Sequence, residues 1–328
     1  MIIDTSKMKG YFSLDSNIKR LEDATELKSP ILDIVYPESK REQYPSAIVK
    51  KSDLPTAIKN APVIERGDSA YEMPGKITSI NGYEPYPIEL SKRIPATELN
   101  NILSNIDGLA TSTILDTIYE RMRKTVRATT EALAAQSLSG TISYAIKERN
   151  DLYTVNFGTT KTKTCTKKFN EVDATLADAL LLFYEMCDSI SVNGYGQNIV
   201  ILAGRKAFSA LVMLLTKAQN VMGITVTNYS INFPGFSVIR LASTYYDYKT
   251  KKDKQIVDDD KLCAIAVDAP FWLPYCAIDD IEAGLASLPF FTSFEEIKNP
   301  SAIDIFGKSK PFPVPVVECI CWSNSVLQ

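Results

Sequence analysis

The sequence predicts an α+β protein with mixed sheets, and three observations predict it. Residues 112–138, STILDTIYERMRKTVRATTEALAAQSL, read as one long amphipathic helix. NIVILAG at 198–204 is nearly all apolar and stands between two apolar helical runs, the pattern of a buried strand. Period-two segments separated by turn residues at 141–157 and 224–243 read as hairpins.

At 328 residues the chain can bury a full core and form two domains. It is 45% hydrophobic and 23% charged with a formal net charge of -3, which argues against a dedicated nucleic-acid binder with a strongly basic face. MIIDTSKMKG carries acids and lysines where a signal peptide has its apolar core. No stretch approaches the ~20 apolar residues that span a bilayer, so a protein made in the cytoplasm and off the membrane is expected. There is no histidine, which removes Ser-His-Asp and Cys-His nucleophiles and the HExxH metal helix. Carboxylate or lysine chemistry remains open. The six cysteines, Cys165, Cys187, Cys263, Cys276, Cys319 and Cys321, form no CxxC and are expected as buried thiols acting as small hydrophobes.

Residues 1–60 hold short apolar clusters (Tyr11, Phe12 and Leu14, then Ile31 to Tyr36) divided by Pro30, Pro37, Pro45 and Pro55. A helix is expected near Leu14–Leu27, then extended chain: an arm needing a surface on its own domain or on a neighbour. Residues 62–95 read as a long two-stranded excursion. Its strand pieces fall at Ala70–Met73, Ile77–Ile80 and Ile88–Leu90, broken by Gly67, Pro74, Gly75 and Gly82, and Pro85 and Pro87 favour an edge-like return. It has too few large apolar residues to hold a core, and an isolated hairpin is marginal in water, so support from another molecule is expected.

On the long helix, Leu115, Ile118, Met122, Val126, Ala132 and Leu133 make one buried stripe, with Thr129 its polar member. Glu120, Arg121, Arg123, Lys124, Arg127 and Glu131 fall on the wet remainder, and the Glu120–Lys124 spacing is worth ~0.3 kcal/mol. Ser112 or Thr113 can cap the start and Gly140 the end. Such a helix spans roughly 40 Å, a spine against which sheets can lie.

Beyond it, TISYAI and LYTVNFG read as a hairpin around KERND, and Thr159–Lys168 as a solvated basic loop with phosphate contact as the alternative. A second helix starts at Asp173 and is expected to bury Ala177, Leu180, Leu181, Tyr184 and Cys187, with Leu182 and Phe183 broadening the arc. NIVILAG leads at once into a third helix, RKAFSALVMLLTKAQNVMG, without the GxGxxG or P-loop glycines of a nucleotide fold. Residues 224–243 give strand, Pro-Gly turn, strand. Residues 245–261 read as a charged loop whose Asp258, Asp259 and Asp260 lack calcium-loop spacing. LCAIAVDAP is a buried strand, and the tail PFPVPVVECICWSNSVLQ ends in a strand expected to close the domain that holds the long helix.

Several stretches, taken in order, carry a resemblance. They are Arg66, Gly67, Glu72, Pro74 and Gly75 with a span ending in Arg93, Ile94 and Pro95; the junction Ala135–Gly140 leading to DLYTVNFG; GFSVIRLASTYY and LCAIAVDAP; and NPSAIDIFGKSKPFPVPVVECICWSN. This order of arm, hairpin, spine helix, central α/β body and returning strand resembles the lambda-like major capsid (head) protein family of tailed bacteriophages. The likeness runs from about residue 62 onward; residues 1–60 show little match, and the 158–175 and 245–261 loops are this sequence's own.

The resemblance implies the HK97-like phage capsid fold. It assigns 1–60 to an N-terminal arm, 61–96 to an extended loop lying on the next subunit, 97–173 with 301–328 to a peripheral domain, and 174–300 to an axial domain. It further implies hexamers and pentamers that build an icosahedral or prolate head around double-stranded DNA, assembled in a bacterial cytoplasm. Scaffold, portal and decoration proteins are then candidate partners, and no cofactor, metal, membrane or catalysis is expected. Lys76 and Lys92 lie in the loop region, but a covalent lysine–asparagine crosslink is not expected of this branch. Candidate subunit contacts are Glu65, Arg66, Asp68 and Glu72 near the start of the loop, Lys76 within it, and Glu84, Glu89, Lys92 and Arg93 near its end, with opposite-sign partners expected on a neighbour. The alternatives are another virion part, such as a tail-tube, connector or decoration protein, and a carboxylate-dependent enzyme.

Overall fold

The structure, a computed structural model, describes residues 9–25, 27–55, 82–98, 109–147, 151–192, 194–218 and 223–328. Helix α1 (Leu14–Glu22) is capped by Ser13, whose hydroxyl accepts from the Ser16 amide, and ends five residues short of the expected Leu27. Buried Asn17 ties α1 down: its Nδ2 donates to the Phe12 and Thr292 carbonyls, and its Oδ1 accepts from the Thr292 amide. The chain then forms a short helix, α2 (Pro30–Ile34), with Pro30 at its opening, where the missing N–H costs nothing. Strand β1 (Arg41–Tyr44) runs parallel to β15 (Leu273–Cys276), so the described arm is bound to its own chain.

Strands β2 (Val49–Lys50) and β3 (Gly82–Tyr83) pair antiparallel. This pairing brings Lys50 and Gly82 side by side on the body. The strand pieces expected at 70–73 and 77–80 lie outside the described residues. Strand β4 (Ile88–Pro95) is no excursion strand. It is the edge of a three-stranded antiparallel sheet with β17 (Ser301–Ser309) and β16 (Phe291–Lys298), in the order β16-β17-β4. Ile88, Leu90 and Ile94 alternate onto one face and pack on the long helix, which is why this strand stays with the body.

That helix, α3, runs Leu109–Ser137. Ser112 and Thr113 lie inside it rather than capping it. Leu115, Tyr119, Met122 and Val126 bury against the three-stranded sheet, while Ala134, Ala135 and Leu138 join the largest core. Thr129 is half-buried; the buried polar side chains of this helix are Thr130, Glu131 and Ser137, and the Thr130 hydroxyl donates to the Val126 carbonyl at 2.9 Å. Glu120 pairs with Arg123 at 3.0 Å in place of Lys124. Gly140 ends the helical stretch with φ +82°, and a Cβ there would collide with the Gly158 carbonyl. The expected hairpin follows as β5 (Thr141–Ala145) and β6 (Leu152–Asn156).

The largest sheet has seven strands in the order β7-β18-β14-β8-β11-β10-β9. These are β7 (Lys161–Lys163), β8 (Ile199–Ala203), β9 (Thr225–Val226), β10 (Ser230–Phe233), β11 (Phe236–Arg240), β14 (Leu262–Ala266) and β18 (Ile320–Ser323). Every residue of β8 and β14 is buried, as their unbroken apolar runs require. Strand β7 corrects the reading of 159–168 as a loop: Lys-Thr-Lys makes a polar edge, the composition that blunts further pairing.

Helix α4 (Leu176–Ile190) begins at the capping box of Thr175 and Asp178, three residues later than expected. Its buried face is Ala179, Leu182, Phe183, Met186, Cys187 and Ile190, whereas Leu181 and Tyr184 are exposed. The apolar run LLLFY fits two helical phases. The winning phase sets Phe183 between Phe233 and Phe236, at ring distances of 5.9 and 5.6 Å. Helix α5 is Arg205–Lys217.

Residues 244–255 form a hairpin, β12 (Thr244–Asp247) with β13 (Lys252–Gln255), where a loop was expected. The tail strand β18 pairs with β14 and β7 in the seven-stranded sheet, not in the sheet under α3. A domain boundary at residue 300 likewise falls inside the continuous β16–β17 pairing.

All six cysteines are buried and free. Burial pushes the Cys187 and Cys276 thiols up to about 12 and Cys319 to about 11. A thiol-specific chromogenic reagent at pH 8 is expected to find no reactive cysteine in the native protein and all six in denaturant. Rapid native labelling of any one would contradict this packing.

Candidate inter-subunit surfaces

Arg123, Arg127 and Glu131 stand four residues apart, one line along α3 beside its buried stripe. The arm lies over that line. Glu131, read from sequence as wet, is buried, and its two carboxylate oxygens accept from the Ile31 and Leu32 amides at 2.8 and 2.9 Å. Those amides open α2 and have no partner within the helix. Arg127 donates to the Ser29 hydroxyl at 2.9 Å and to Asp33 at 2.7 Å. From β1, Arg41 donates to the Tyr36 and Leu32 carbonyls at 2.8 and 3.0 Å. Arg123 reaches the Thr25 carbonyl at 2.8 Å, and the Tyr36 and Ser137 hydroxyls bond at 2.8 Å.

Burial pushes the Glu131 carboxyl above its ordinary range, against the pull of the two amides and Arg127. Burial, reinforced by Arg41, pulls Arg127 down. A cavity of about 360 Å³ lies against this cluster, lined by Glu22, Arg41, Arg123, Arg127 and Phe290 among others. Sequence reasoning missed the latch because charges at helical spacing read as a solvated face. The available signal was their register, directly beside the apolar stripe.

Of the sequence-predicted contact residues, Glu65, Arg66, Asp68, Glu72 and Lys76 lie outside the described residues. Glu84, Glu89, Lys92 and Arg93 are all exposed, Glu84 just after the stem and the others on β4. The structure brings Glu89, Lys92 and Arg93 onto one edge strand. Arg93 makes a two-pronged bond to Asp304 of β17, both contacts at 2.8 Å, so its acidic partner sits in its own chain. Arg93 holds the Asp304 carboxyl below its usual range. The pairing therefore breaks as pH falls through that depressed value. Tyr86 stacks on Tyr153 at 4.6 Å, steering the segment between stem and edge strand.

The other charged stretches are largely engaged internally. Asp258 pairs with Lys261 at 2.8 Å and Asp259 with Arg205 at 2.9 Å. In the basic stretch, Lys167 pairs with Asp173 at 2.9 Å, while Lys161 and Lys168 donate to the Ser189 and Ser325 carbonyls. Among the described residues, no cluster of three or more cysteine, aspartate or glutamate side chains is placed to hold a metal ion.

Over residues 13–322 the sequence matches the family described as Phage major capsid protein E. The chain belongs to this family. It is a capsid protein, a structural component of the virion, and the family match includes most of the arm that sequence resemblance left unmatched. A solved structure described as a prophage capsid protein from E. coli CFT073 shares the fold with a TM-score of 0.64 at 14% identity, covering 95% of this chain and 98% of that one. The satellite phage P4 procapsid that includes the size determination protein aligns at 0.44 and 12% identity, over 96% and 99% of the two chains. Gordonia phage Cozz aligns at 0.44 and 14% identity, over 92% and 88%. No curated protein sequence matches the chain.

Proposed function

We propose that this capsid protein is the major shell subunit, assembling as hexamers and pentamers into a closed head around double-stranded DNA in a bacterial cytoplasm. The observation that carries this reading is the β2–β3 stem, which holds Lys50 beside Gly82 on a body that already binds its own arm. A segment tied at both ends, with its ordering cost met by a neighbour, is what a ring of heterologous contacts needs. In this reading α3 with the three-stranded sheet is the peripheral domain, the seven-stranded sheet is the core of the axial domain, and residues 51–81 lie on the next subunit. Scaffold, portal and decoration proteins are the candidate partners. The subunit has no catalytic role, a reading supported by the lack of histidine and by the internal pairing of Asp258 and Asp259.

Because Lys50 and Gly82 are direct strand partners, residues 56–81 can be replaced by a short Gly-Ser linker without stretching the body. The wild-type chain is expected to give hollow shells or rings of five and six by negative-stain microscopy and light scattering, with a scaffold if required. The linker variant is expected to keep the wild-type melting temperature and stay monomeric. A wild type that remains monomeric with every scaffold tried, or a linker variant that assembles normally, sinks the reading.

A further inference from the structure

The hairpin β12–β13 belongs to neither main sheet. It carries Lys249, Lys251, Lys252 and Lys254, all exposed, and none of them makes an ion pair among the described residues. Of its two acids, Asp247 is turned inward on the turn, accepting from the Lys249 amide at 2.9 Å and the Thr250 hydroxyl at 3.1 Å. Asp253 remains exposed. Tyr246 and Tyr248, 45% and 60% exposed, pack edge to face at 5.0 Å beside the lysines.

The ring of Tyr248 also meets Tyr144 at 6.3 Å, and β12 packs against α3. That helix adds Arg121 and Lys124, exposed and likewise without an ion pair among the described residues, on the face that also holds Thr125 and Ala128. In the basic stretch 161–168, which sequence alone offered for phosphate contact, Lys161, Lys167 and Lys168 are bound internally, which leaves Lys163; the hairpin and the adjoining helix bring six cations together.

We infer that the β12–β13 hairpin, with Arg121 and Lys124 on the adjoining helix, is a contact for the phosphate backbone of the double-stranded DNA inside the head. The inference rests on the shell reading above. Ammonium groups without carboxylate partners displace condensed counterions from a duplex, and exposed tyrosine hydroxyls donate to phosphate oxygens. Lysines that meet phosphate oxygens carry no base information, so the contact is independent of sequence. A handful of cations per subunit gives weak, salt-sensitive binding, which holds DNA near the wall without arresting its packing.

The test compares the full-length wild type, a variant carrying Lys249→Gln, Lys251→Gln, Lys252→Gln and Lys254→Gln, and a control carrying Lys206→Gln and Lys217→Gln on α5. Fluorescence anisotropy with a labelled 30-base-pair duplex is read across salt, on soluble subunit and on shells, alongside thermal melts. The four-site variant is expected to bind at least tenfold more weakly at low salt. Its plot of log affinity against log salt should be shallower by up to about 3.6, or ~0.9 for each phosphate left unneutralised. Its melting temperature and shell formation should be unchanged, and the control should match the wild type. Unchanged affinity and slope overturn the inference. So does a variant that forms no shells but keeps its DNA affinity, since the lysines would then face carboxylates of a second copy. Wild-type shells that ignore DNA overturn it while leaving the shell reading intact. A wild type that never assembles fails the shell reading, and the slope on soluble subunit is still decisive for the lysines.

Discussion

Glu131→Ala is expected to release the N-terminal arm. The substitution leaves the buried Ile31 and Leu32 amides without acceptors and strips Arg127 of a neighbouring negative charge. Breaking a buried, charge-assisted set of this kind costs about 3 kcal/mol or more, far beyond a surface change. For a chain of 328 residues that is a fall of roughly 4–5 °C in melting temperature. Limited proteolysis should open new cuts around residues 23–29 before the rest of the chain is attacked. A melt within about 1 °C of wild type, together with an unchanged digest, would mean that the latch carries no weight.

Glu131→Gln separates charge from shape. Burial raises the folded-state value of the Glu131 carboxyl above its unfolded value of about 4.3. Its linkage contribution is therefore fully present below the unfolded value and is lost as pH rises through the raised one. The urea midpoint of wild type minus that of Glu131→Gln should fall as pH climbs through this window. A flat difference would place the carboxyl in water.

Gly140→Ala is the second large effect. At φ +82° a side chain carries the left-handed strain of about 1–2 kcal/mol, and here its Cβ also meets the Gly158 carbonyl, which is backbone and cannot swing away. The total is expected to exceed about 3 kcal/mol, because the Phe157 amide donates to the Gly140 carbonyl at 2.9 Å and relaxation would break that bond. Gly235→Ala supplies the comparison: φ is +100° and nothing lies near the added Cβ, so only the strain remains. Equal denaturant midpoints for the two variants would refute the clash.

What could be read from sequence divides along a physical line. Strands β8 and β14 were legible because both of their faces are buried, so their composition alone marks them. The long helix was legible from its period, and the hairpin at 141–156 from its alternation. The buried face of α4 was not, since Leu180, Leu181, Leu182 and Phe183 satisfy two phases and only the partner sheet chooses between them. Strands β7 and β13 carry lysine, threonine and aspartate where a strand signal needs apolar residues; pairing, not burial, holds them. The latch on α3 depended on where the arm would lie. Glu84, Glu89 and Lys92 were legible as exposed charges, but only the fold showed that Arg93 pairs with Asp304.

The seat of β18 bears on timing during synthesis. It lies between β14 and β7, so residues 161–163 leave the ribosome long before 321–323, the segment they pair with. Until then the seven-stranded sheet has a gap at one end, and the indole of Trp322, which donates to the Leu138 carbonyl at 2.9 Å, has not yet tied the sheet to the end of the long helix. Until residues 320–323 have emerged, the body of the subunit is therefore unfinished, whatever the state of the strands made before them.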